Sequence, residues 1–150
     1  MYDRILVPLD GSDTARRGLV EAMSLAADRK STLCLLHVMN DFPLMMETSN
    51  VVDFEKYRHG LRDYGQSVLD GASQACAALG LSVETQLHDM RGGRVADAIV
   101  QAAKELGCQL IVIGTHGRRG LRRALLGSDA ESVLRESPMP VLLVPAPAVT

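Results

Sequence analysis

The sequence predicts a single α/β domain over residues 1–150, a three-layer sandwich whose five-stranded parallel sheet has the order 3-2-1-4-5. Short, almost continuously apolar runs alternate with longer segments of helical periodicity, as in parallel sheets that are covered on both faces. Right-handed crossovers then leave doubly wound topologies as the main option. The length also fits one domain, and the chain shows no internal repeat, low-complexity tract or interdomain linker.

The first part of the chain supplies two strands and the helix between them. The apolar run Ile5–Leu9 predicts the first strand, and Leu33–Val38 predicts the second. Ser12 or Asp13 can cap the intervening helix, because both side chains accept hydrogen bonds from first-turn amides. One face of that helix is apolar and consists of Ala15, Leu19, Ala22 and Ala26.

The middle of the chain predicts a long loop, a long helix and an edge strand. Residues 40–50 carry turn formers around Leu44–Met46, which favours a long mobile loop. The apolar stripe of the next helix consists of Tyr57, Leu61, Tyr64, Val68, Ala72, Ala75 and Leu79. Three glycines interrupt it, each at a cost of ~1 kcal/mol in helix propensity. Leu81–His88 then alternates apolar and polar residues, as expected of a strand near a sheet edge.

The last third of the chain completes the alternation. A helical stripe over Val95–Leu106 precedes the apolar strand Leu110–Ile113. A final helix is predicted from about Ser128, and Ser137–Pro140 ends it, because proline cannot continue a helix. The closing apolar run Val141–Val144 is the fifth strand.

Composition and charge exclude several classes of function. The chain has 16 basic and 18 acidic residues, so it lacks the basic surplus of a general nucleic-acid-binding protein. Three Tyr, two Phe and no Trp are too few for a base-stacking platform. No apolar run approaches the ~18 residues that cross a bilayer, and the first residues do not resemble a signal peptide. We therefore expect a cytoplasmic protein without nucleic-acid or membrane partners.

The three cysteines are Cys34, Cys76 and Cys108. They are widely spaced, form no CxxC pair, and have no basic residue or histidine beside them in the sequence. We interpret them as small buried thiols in a reducing compartment, since reactive thiols need an electropositive neighbour.

Two loops are candidates for ligand binding, because ligands of open parallel sheets bind beyond the carboxyl ends of the strands, where the strand order reverses. One is Pro8–Ser12 after the first strand, and the other is Gly114–Ser128 after the fourth. With the order 3-2-1-4-5 these strands are neighbours, and both loops face one crevice.

The second loop has features that an oligophosphate site needs. Gly114 and Gly117 allow main-chain amides to approach an anion, and Gly127-Ser128 opens a helix whose N-terminal amides and dipole favour negative charge. The loop also carries a charge of +4 with no acidic residue, while the rest of the chain has a balance of −6. Its basic residues are Arg118, Arg119, Arg122 and Arg123.

Several well-known motifs are missing from the sequence. It contains no P-loop, no GxGxxG after the first strand, no GxSxG elbow and no Cys/His spacing for zinc. The spacing Gly114-x2-Gly117-x9-Gly127-Ser128 instead resembles the G-2x-G-9x-G-(S/T) signature of the ATP-binding branch of the universal stress protein family. The segments Ile5–Ser12, His37-Val38 and Pro140–Val144 resemble the same family.

This resemblance implies a nucleotide site. It implies that Asp10 meets the ribose or adenine, that Val38 contacts the adenine chiefly through its backbone, and that the glycine-rich loop surrounds the phosphates. The complete set of predicted nucleotide-binding residues is Pro8, Leu9, Asp10, Val38, Gly114, Thr115, His116, Gly117, Arg118, Gly127, Ser128 and Asp129.

The resemblance further implies a dimeric regulator or sensor of the stress response that binds ATP, with or without Mg²⁺. Family members are usually homodimers, often paired through the last strand, here Val141–Val144. We identify no catalytic residue and no metal ligand, because His116 has no partner carboxylate that could orient it as a base. Two alternatives stay open: a slow ATPase or autophosphorylating enzyme, and a dimeric interaction protein with a vestigial nucleotide site.

Each predicted contact also has a purely structural alternative. Ser128-Asp129-Ala130-Glu131 spells a capping box, so Ser128 could cap its helix. Asp10 could end its strand through an Asx turn. Asp129 suits a helix N-terminus but would repel an anion beside it, so we expect its side chain to point to solvent. We expect at most two of the four arginines to reach the ligand.

Overall fold

The predicted succession of strands and helices is present in the computed structural model, which describes residues 1–40, 51–115 and 126–145. The strands are β1 (Arg4–Pro8), β2 (Thr32–Asn40), β3 (Ser82–Met90), β4 (Leu110–Gly114) and β5 (Val141–Val144). The helices are α1 (Asp13–Arg29), α2 (Val51–Ala78), α3 (Val95–Glu105) and α4 (Ser128–Glu136). No helix within the described ranges is long and apolar enough to cross a membrane.

The five strands form one parallel sheet in the order β3-β2-β1-β4-β5, which confirms the predicted topology. Ile5 of β1 lies opposite Leu33 on one side and Leu110 on the other. The chain therefore builds the sheet outward from β1 in one direction and then from β4 in the other. The carboxyl ends of β1 and β4 meet at this reversal.

Two apolar cores lie on the two faces of the sheet, because alternate residues of each buried strand point to opposite sides. On one face, Ile5, Val7, Leu33 and Leu35 pack against α1 and α2. On the other face, the helices α3 and α4 cover residues of β1, β2 and β4, which include Leu6, Cys34, Leu36, Ile111 and Ile113. The result is the predicted three-layer sandwich.

The boundaries of β1, β2, β3 and β4 differ from the prediction, by one residue at the ends of β1 and β4 and by more at β2 and β3. β2 and β3 stay paired as far as Asn40 opposite Met90, so both strands are longer than their apolar runs. Main-chain pairing, which does not depend on side-chain polarity, keeps these ends extended. Asn40 therefore belongs to β2, and the rest of the predicted mobile loop, with Leu44–Met46, lies outside the described residues.

The long helix α2 forms in spite of its three glycines, and the structure explains one of them. A Cβ at Gly65 would lie 2.5 Å from Cδ2 of His37 and 2.8 Å from Cδ1 of Leu87. Only a glycine lets α2 approach β2 and β3 this closely. A Cβ at Gly60 or Gly71 would meet nothing within 4 Å, and nothing in the structure explains those two glycines.

Candidate functional site

A cavity of about 760 Å³ opens at the carboxyl ends of the strands, where the strand order reverses. Nine of the twelve predicted site residues line it. They are Pro8, Leu9, Asp10, Val38, Gly114, Thr115, Gly127, Ser128 and Asp129. The other three, His116, Gly117 and Arg118, lie outside the described residues, as do Arg119, Arg122 and Arg123. The fold thus gathers the two predicted loops around one space, and the ligand contacts stay a prediction.

The sequence analysis missed eight residues that line this cavity, of which six are apolar. The additional lining residues come from α1, β2, α3, β4 and α4, and they are Ser12, Ala15, Leu36, Asn40, Val95, Ile99, Ile113 and Ala130. Leu36 and Asn40 could have been found, because they share the side of β2 on which Val38 lies. Ile99 and Ile113 carry an ordinary core pattern, so only their position in the fold marks them.

The turn between β1 and α1 is held by its own side chains. The amide of Ser12 donates to Oδ1 of Asp10 at 2.9 Å, so the Asx-turn alternative for Asp10 is realised. The Ser12 hydroxyl in turn accepts from the amide of Ala15 at 3.1 Å and is the N-cap of α1, as predicted. These bonds hold the Asp10 carboxyl at the cavity wall.

A second set of contacts supports the same turn from beneath. Nδ1 of the buried His37 is hydrogen-bonded to the carbonyl oxygen of Leu9 at 2.7 Å. The hydroxyl of Tyr64 on α2 donates to the carbonyl oxygen of Asp10 at 3.2 Å, and its ring meets His37 edge-on. The sequence analysis gave His37 no role. In the structure it supports the turn that carries Asp10.

The end of β4 and the start of α4 are joined directly. The amide of Gly127 donates to the carbonyl oxygen of Thr115 at 2.5 Å. The amide of Thr115 in turn donates to the carbonyl oxygen of Val144 at 3.0 Å. The amide of Gly127 is therefore engaged by protein and does not belong among the anion-binding amides that we predicted. Thr115 and Gly127, on either side of residues that the structure does not describe, are therefore hydrogen-bonded neighbours.

The first turn of α4 excludes the capping alternative for Ser128. Gly127 is the N-cap, and Ser128 is the first residue of the helix, so Ser128 does not cap α4. A glycine has no side chain that could satisfy the amides of Ser128, Asp129 and Ala130. These first-turn amides and the positive end of the helix dipole lie at the cavity, which is the usual arrangement at anion sites.

Gly114 has a packing role that the motif does not reveal. A Cβ at this position would lie 2.5 Å from the carbonyl oxygen of Thr14 and 2.7 Å from its carbonyl carbon. The residue allows the end of β4 to touch the first turn of α1. Close helix–strand packing is thus a sufficient reason for a glycine here, beside the predicted approach of its amide to an anion.

Two residues with carboxyl groups, Asp10 and Asp129, line the cavity. Burial raises the pKa of Asp129, and the negative charge of Asp10 raises it further. The Asp129 carboxyl is therefore partly shielded from water at the cavity and is repelled by the charge of Asp10. We had expected this side chain to point to solvent, and the residue as a whole is exposed. The two carboxylates can accept hydrogen bonds from hydroxyl groups of a ligand. An anionic group would be repelled by them and is better placed at the first-turn amides of α4.

The cavity thus combines an apolar wall, a pair of carboxyls and an open helix N-terminus at the switch point of a doubly wound sheet. Such a site defines a class of α/β proteins that bind small ligands with an anionic end. The chain belongs to the universal stress protein family, whose family model matches residues 1–145.

Relatives and solved structures agree with this assignment. The universal stress protein YxiE of Bacillus subtilis is 32% identical over an alignment of 152 positions, gaps included, which covers 96% of this chain and 99% of that protein. The solved structure of MJ0577 from Methanocaldococcus jannaschii superposes with a TM-score of 0.87 at 26% identity and 99% coverage of both chains. A universal stress protein solved in complex with cAMP has a TM-score of 0.67 at 25% identity, covering 95% of this chain and 96% of the other.

Proposed function

We propose that the protein binds ATP or a closely related adenine nucleotide in the switch-point cavity and acts as a nucleotide-dependent regulator or sensor of the stress response. The observation that carries the proposal is the open N-terminus of α4 beside a cavity of about 760 Å³. This volume lies within the range of roughly 300–1,000 Å³ that is typical of small-molecule sites.

The parts of the cavity match the parts of a nucleotide. Leu36, Val38 and Ile99 offer a dry wall for an aromatic ring. Asp10 offers a carboxylate that accepts hydrogen bonds from ribose hydroxyls. The amides of Ser128 and Asp129 offer donors to phosphate oxygens, and the Ser128 hydroxyl can add another.

A relative supports the adenine class of ligand. The protein solved with cAMP shares the fold over almost the whole chain, and cAMP contains adenine, ribose and one phosphate. The glycine-rich spacing of residues 114–128 supports the extension from one phosphate to three. Mg²⁺ bound to the phosphates would offset the repulsion from Asp10 and Asp129, since Mg²⁺ is commonly held by substrate phosphates together with one or two carboxylates.

Calorimetric titration of the purified protein with ATP, AMP and cAMP tests this proposal, with and without Mg²⁺. We expect ATP to bind more tightly than about 1 mM, which corresponds to roughly −4 kcal/mol, and Ser128→Ala to weaken that binding. Ser67→Ala is the matched control, because Ser67 lies on the exposed side of α2 and bonds only its own helix at Tyr64. If none of the three nucleotides binds, the proposal is contradicted. If only AMP or cAMP binds, that nucleotide and not ATP is the ligand.

The proposal also includes a homodimer paired through β5 and a location in the cytoplasm. β5 ends the sheet, and Val141, Leu142 and Leu143 are only partly buried in a single chain. An apolar strand at a sheet edge favours pairing with a second strand, which removes the unpaired edge. Phosphate release, measured in the titrated samples, separates a regulator without turnover from a slow ATPase.

A further inference from the structure

A second concave space lies on the face of the sheet that α1 and α2 cover. It is a groove of about 590 Å³ between these two helices, called the helix groove below. Leu9, Ser12 and Ala15 line both the helix groove and the switch-point cavity, so the start of α1 and the turn before it separate the two spaces. The volume lies within the range of small-molecule sites, roughly 300–1,000 Å³.

The floor of the helix groove is apolar and its sides are open to water. Leu19 on the floor is 6% exposed, whereas Val20 at the rim is 60% exposed. α2 faces the space with small residues, which are Gly71, Ala72 and Ala75. A ligand with an apolar body would remove this surface from water, which is the main source of affinity at such a site.

The polar groups of the helix groove are gathered at one end. α1 and α2 each connect two parallel strands, so they run in the same direction. The hydroxyl of Tyr64 on α2 donates to the carbonyl oxygen of Asp10, just before α1, so Tyr64 and the start of α1 lie at the same end. The polar lining residues of this end are Ser12, Arg16, Tyr64 and Ser67. Farther along both helices, the lining residues carry no polar side-chain group.

Arg16 supplies a positive charge at the polar end. Among the described residues, one carboxylate lies within 4 Å of it: Oδ1 of Asp13 is 3.9 Å from Nη1, which is beyond hydrogen-bond distance. The guanidinium therefore keeps donors for the carboxylate of a ligand, which it can hold through two parallel hydrogen bonds. The first turn of α1 lies at the same end, and the positive end of its helix dipole also favours a negative charge there.

The helix groove has the length of a fatty acid. From Ser12 to Met23 on α1, and from Tyr64 to Ala75 on α2, it extends by about 16 Å at a rise of about 1.5 Å per residue. An extended dodecanoate molecule has a similar length. We propose that the helix groove binds a free fatty acid, with the carboxylate at Arg16 and the alkyl chain between α1 and α2. This ligand differs from the nucleotide, and its binding does not depend on the proposed function.

Calorimetric titration of the protein with sodium dodecanoate, below its micellar concentration and without nucleotide, tests the proposal. We expect saturable binding of one molecule per chain. Octanoate should bind at least tenfold more weakly, since each methylene group strengthens binding by up to about fourfold when it is buried. Absence of saturable dodecanoate binding, or equal affinity for octanoate, overturns the proposal. Because no nucleotide is present, this outcome is separate from that of the ATP titration.

A pair of glycine variants on α2 locates the binding. A Cβ at Gly71 or Gly60 would meet nothing within 4 Å, and of these two only Gly71 lines the helix groove, one turn from both Val68 and Ala75. Gly71→Leu therefore places a side chain in the groove and should weaken dodecanoate binding at least tenfold. Gly60→Leu is the matched control and should bind dodecanoate like the unsubstituted protein. Urea unfolding verifies that both variants fold, and equal affinities of the two variants overturn the helix groove as the site.

A pair of arginine variants on α1 tests the position of the carboxylate. Arg16→Gln should weaken dodecanoate binding by about fivefold, the upper end for an ion pair that water reaches. Arg17→Gln removes the same charge from a residue that does not line the helix groove and whose Nε donates to the carbonyl oxygen of Pro145 at 3.1 Å. This control should keep the affinity of the unsubstituted protein. Equal affinities of the two arginine variants overturn the placement of the carboxylate at Arg16.

Discussion

The α-carbon of Gly114 lies against the first turn of α1, and this contact decides what the residue can be. The backbone atoms of Thr14 occupy the place of a side chain, and Gly18 of the same helix approaches β4 from the next turn. Backbone cannot rotate away as a flexible side chain can. The first glycine of the nucleotide motif is therefore required by the fold, whether or not a ligand is bound.

Gly114→Ala should lower the free energy of unfolding by about 1–3 kcal/mol, the usual cost of overpacking, because α1 has to move off β4. Gly71→Ala is the control, since a Cβ there meets nothing within 4 Å. It should raise stability by about 0.5–1 kcal/mol through helix propensity. Urea unfolding of both variants checks the prediction, and equal stabilities would contradict it.

Asp129 makes the site sensitive to pH. Its pKa is raised in the folded protein, so the folded chain binds this proton more tightly than the unfolded chain does. The contribution of Asp129 to stability is thus largest below its ordinary pKa of about 3.9 and is lost as the pH rises through the higher folded value. Ionised Asp129 therefore costs stability at neutral pH.

Asp129→Asn should be more stable than the unsubstituted protein at neutral pH, and the difference should shrink as the pH falls toward about 4. We expect a gain below about 1 kcal/mol, because water screens this exposed residue. The same variant should bind a nucleotide more tightly, since one negative charge leaves the cavity. Unfolding by urea at several pH values measures the slope. Asp13→Asn, at a fully solvated first-turn position, should show no such gain.

At the scale of elements, α1 and α4 begin at the same cavity in different ways. Ser12 caps α1 through its hydroxyl, whereas α4 starts on Gly127 and leaves its first-turn amides to the cavity. A capped helix start is complete without a ligand. An uncapped start is stabilised by whatever anion binds there, so the two serines at these starts have different tasks.

Ser12→Ala should lower the free energy of unfolding of the ligand-free protein by about 1 kcal/mol, because α1 loses its N-cap. Ser128→Ala should leave that stability nearly unchanged, because Ser128 caps nothing. Thermal or urea unfolding without nucleotide measures both. A loss of stability in Ser128→Ala that equals the loss in Ser12→Ala would show that Ser128 has a capping role in solution.

At the scale of the whole molecule, the proposed homodimer depends on the open edge of β5, which ends the sheet. The carbonyl oxygen of Pro140 accepts from the amide of Ile111 on β4, and that of Val144 accepts from the amide of Thr115, the residue after β4. The main-chain groups of Leu142 therefore point toward β4, and those of Val141 and Leu143 point to the open edge. Leu143→Pro removes an outward amide and no bond to β4. Sedimentation equilibrium should find a dimer for the unsubstituted protein and a monomer for this variant, whereas a dimer in both would exclude β5 as the interface.

Most of the fold could be predicted from the sequence, and the chemistry of the site only in part. Burial leaves an apolar pattern within each element, such as the runs at Ile5–Leu9 and Leu110–Ile113 and the helical stripes between them. Each pattern can therefore be recognised from one element by itself. The described residues of the two predicted loops line one cavity, and ligand binding there stays a prediction. The sequence left the capping alternative for Ser128 open, because a capping box and a bare first turn share the same residues, and only the backbone of the structure excludes it.

The sequence by itself determined a parallel sheet covered by helices on both faces, since periodicity and right-handed connections leave few topologies, and the predicted order 3-2-1-4-5 is one of them. Only the tertiary structure decided which residues face one another across elements. It brought Arg4 to Cys34, placed His37 beneath the turn of Asp10, and placed Asp10 and Asp129 at one cavity. Such contacts join residues that are distant along the chain, and no local pattern records them, because they depend on the packing of the complete molecule.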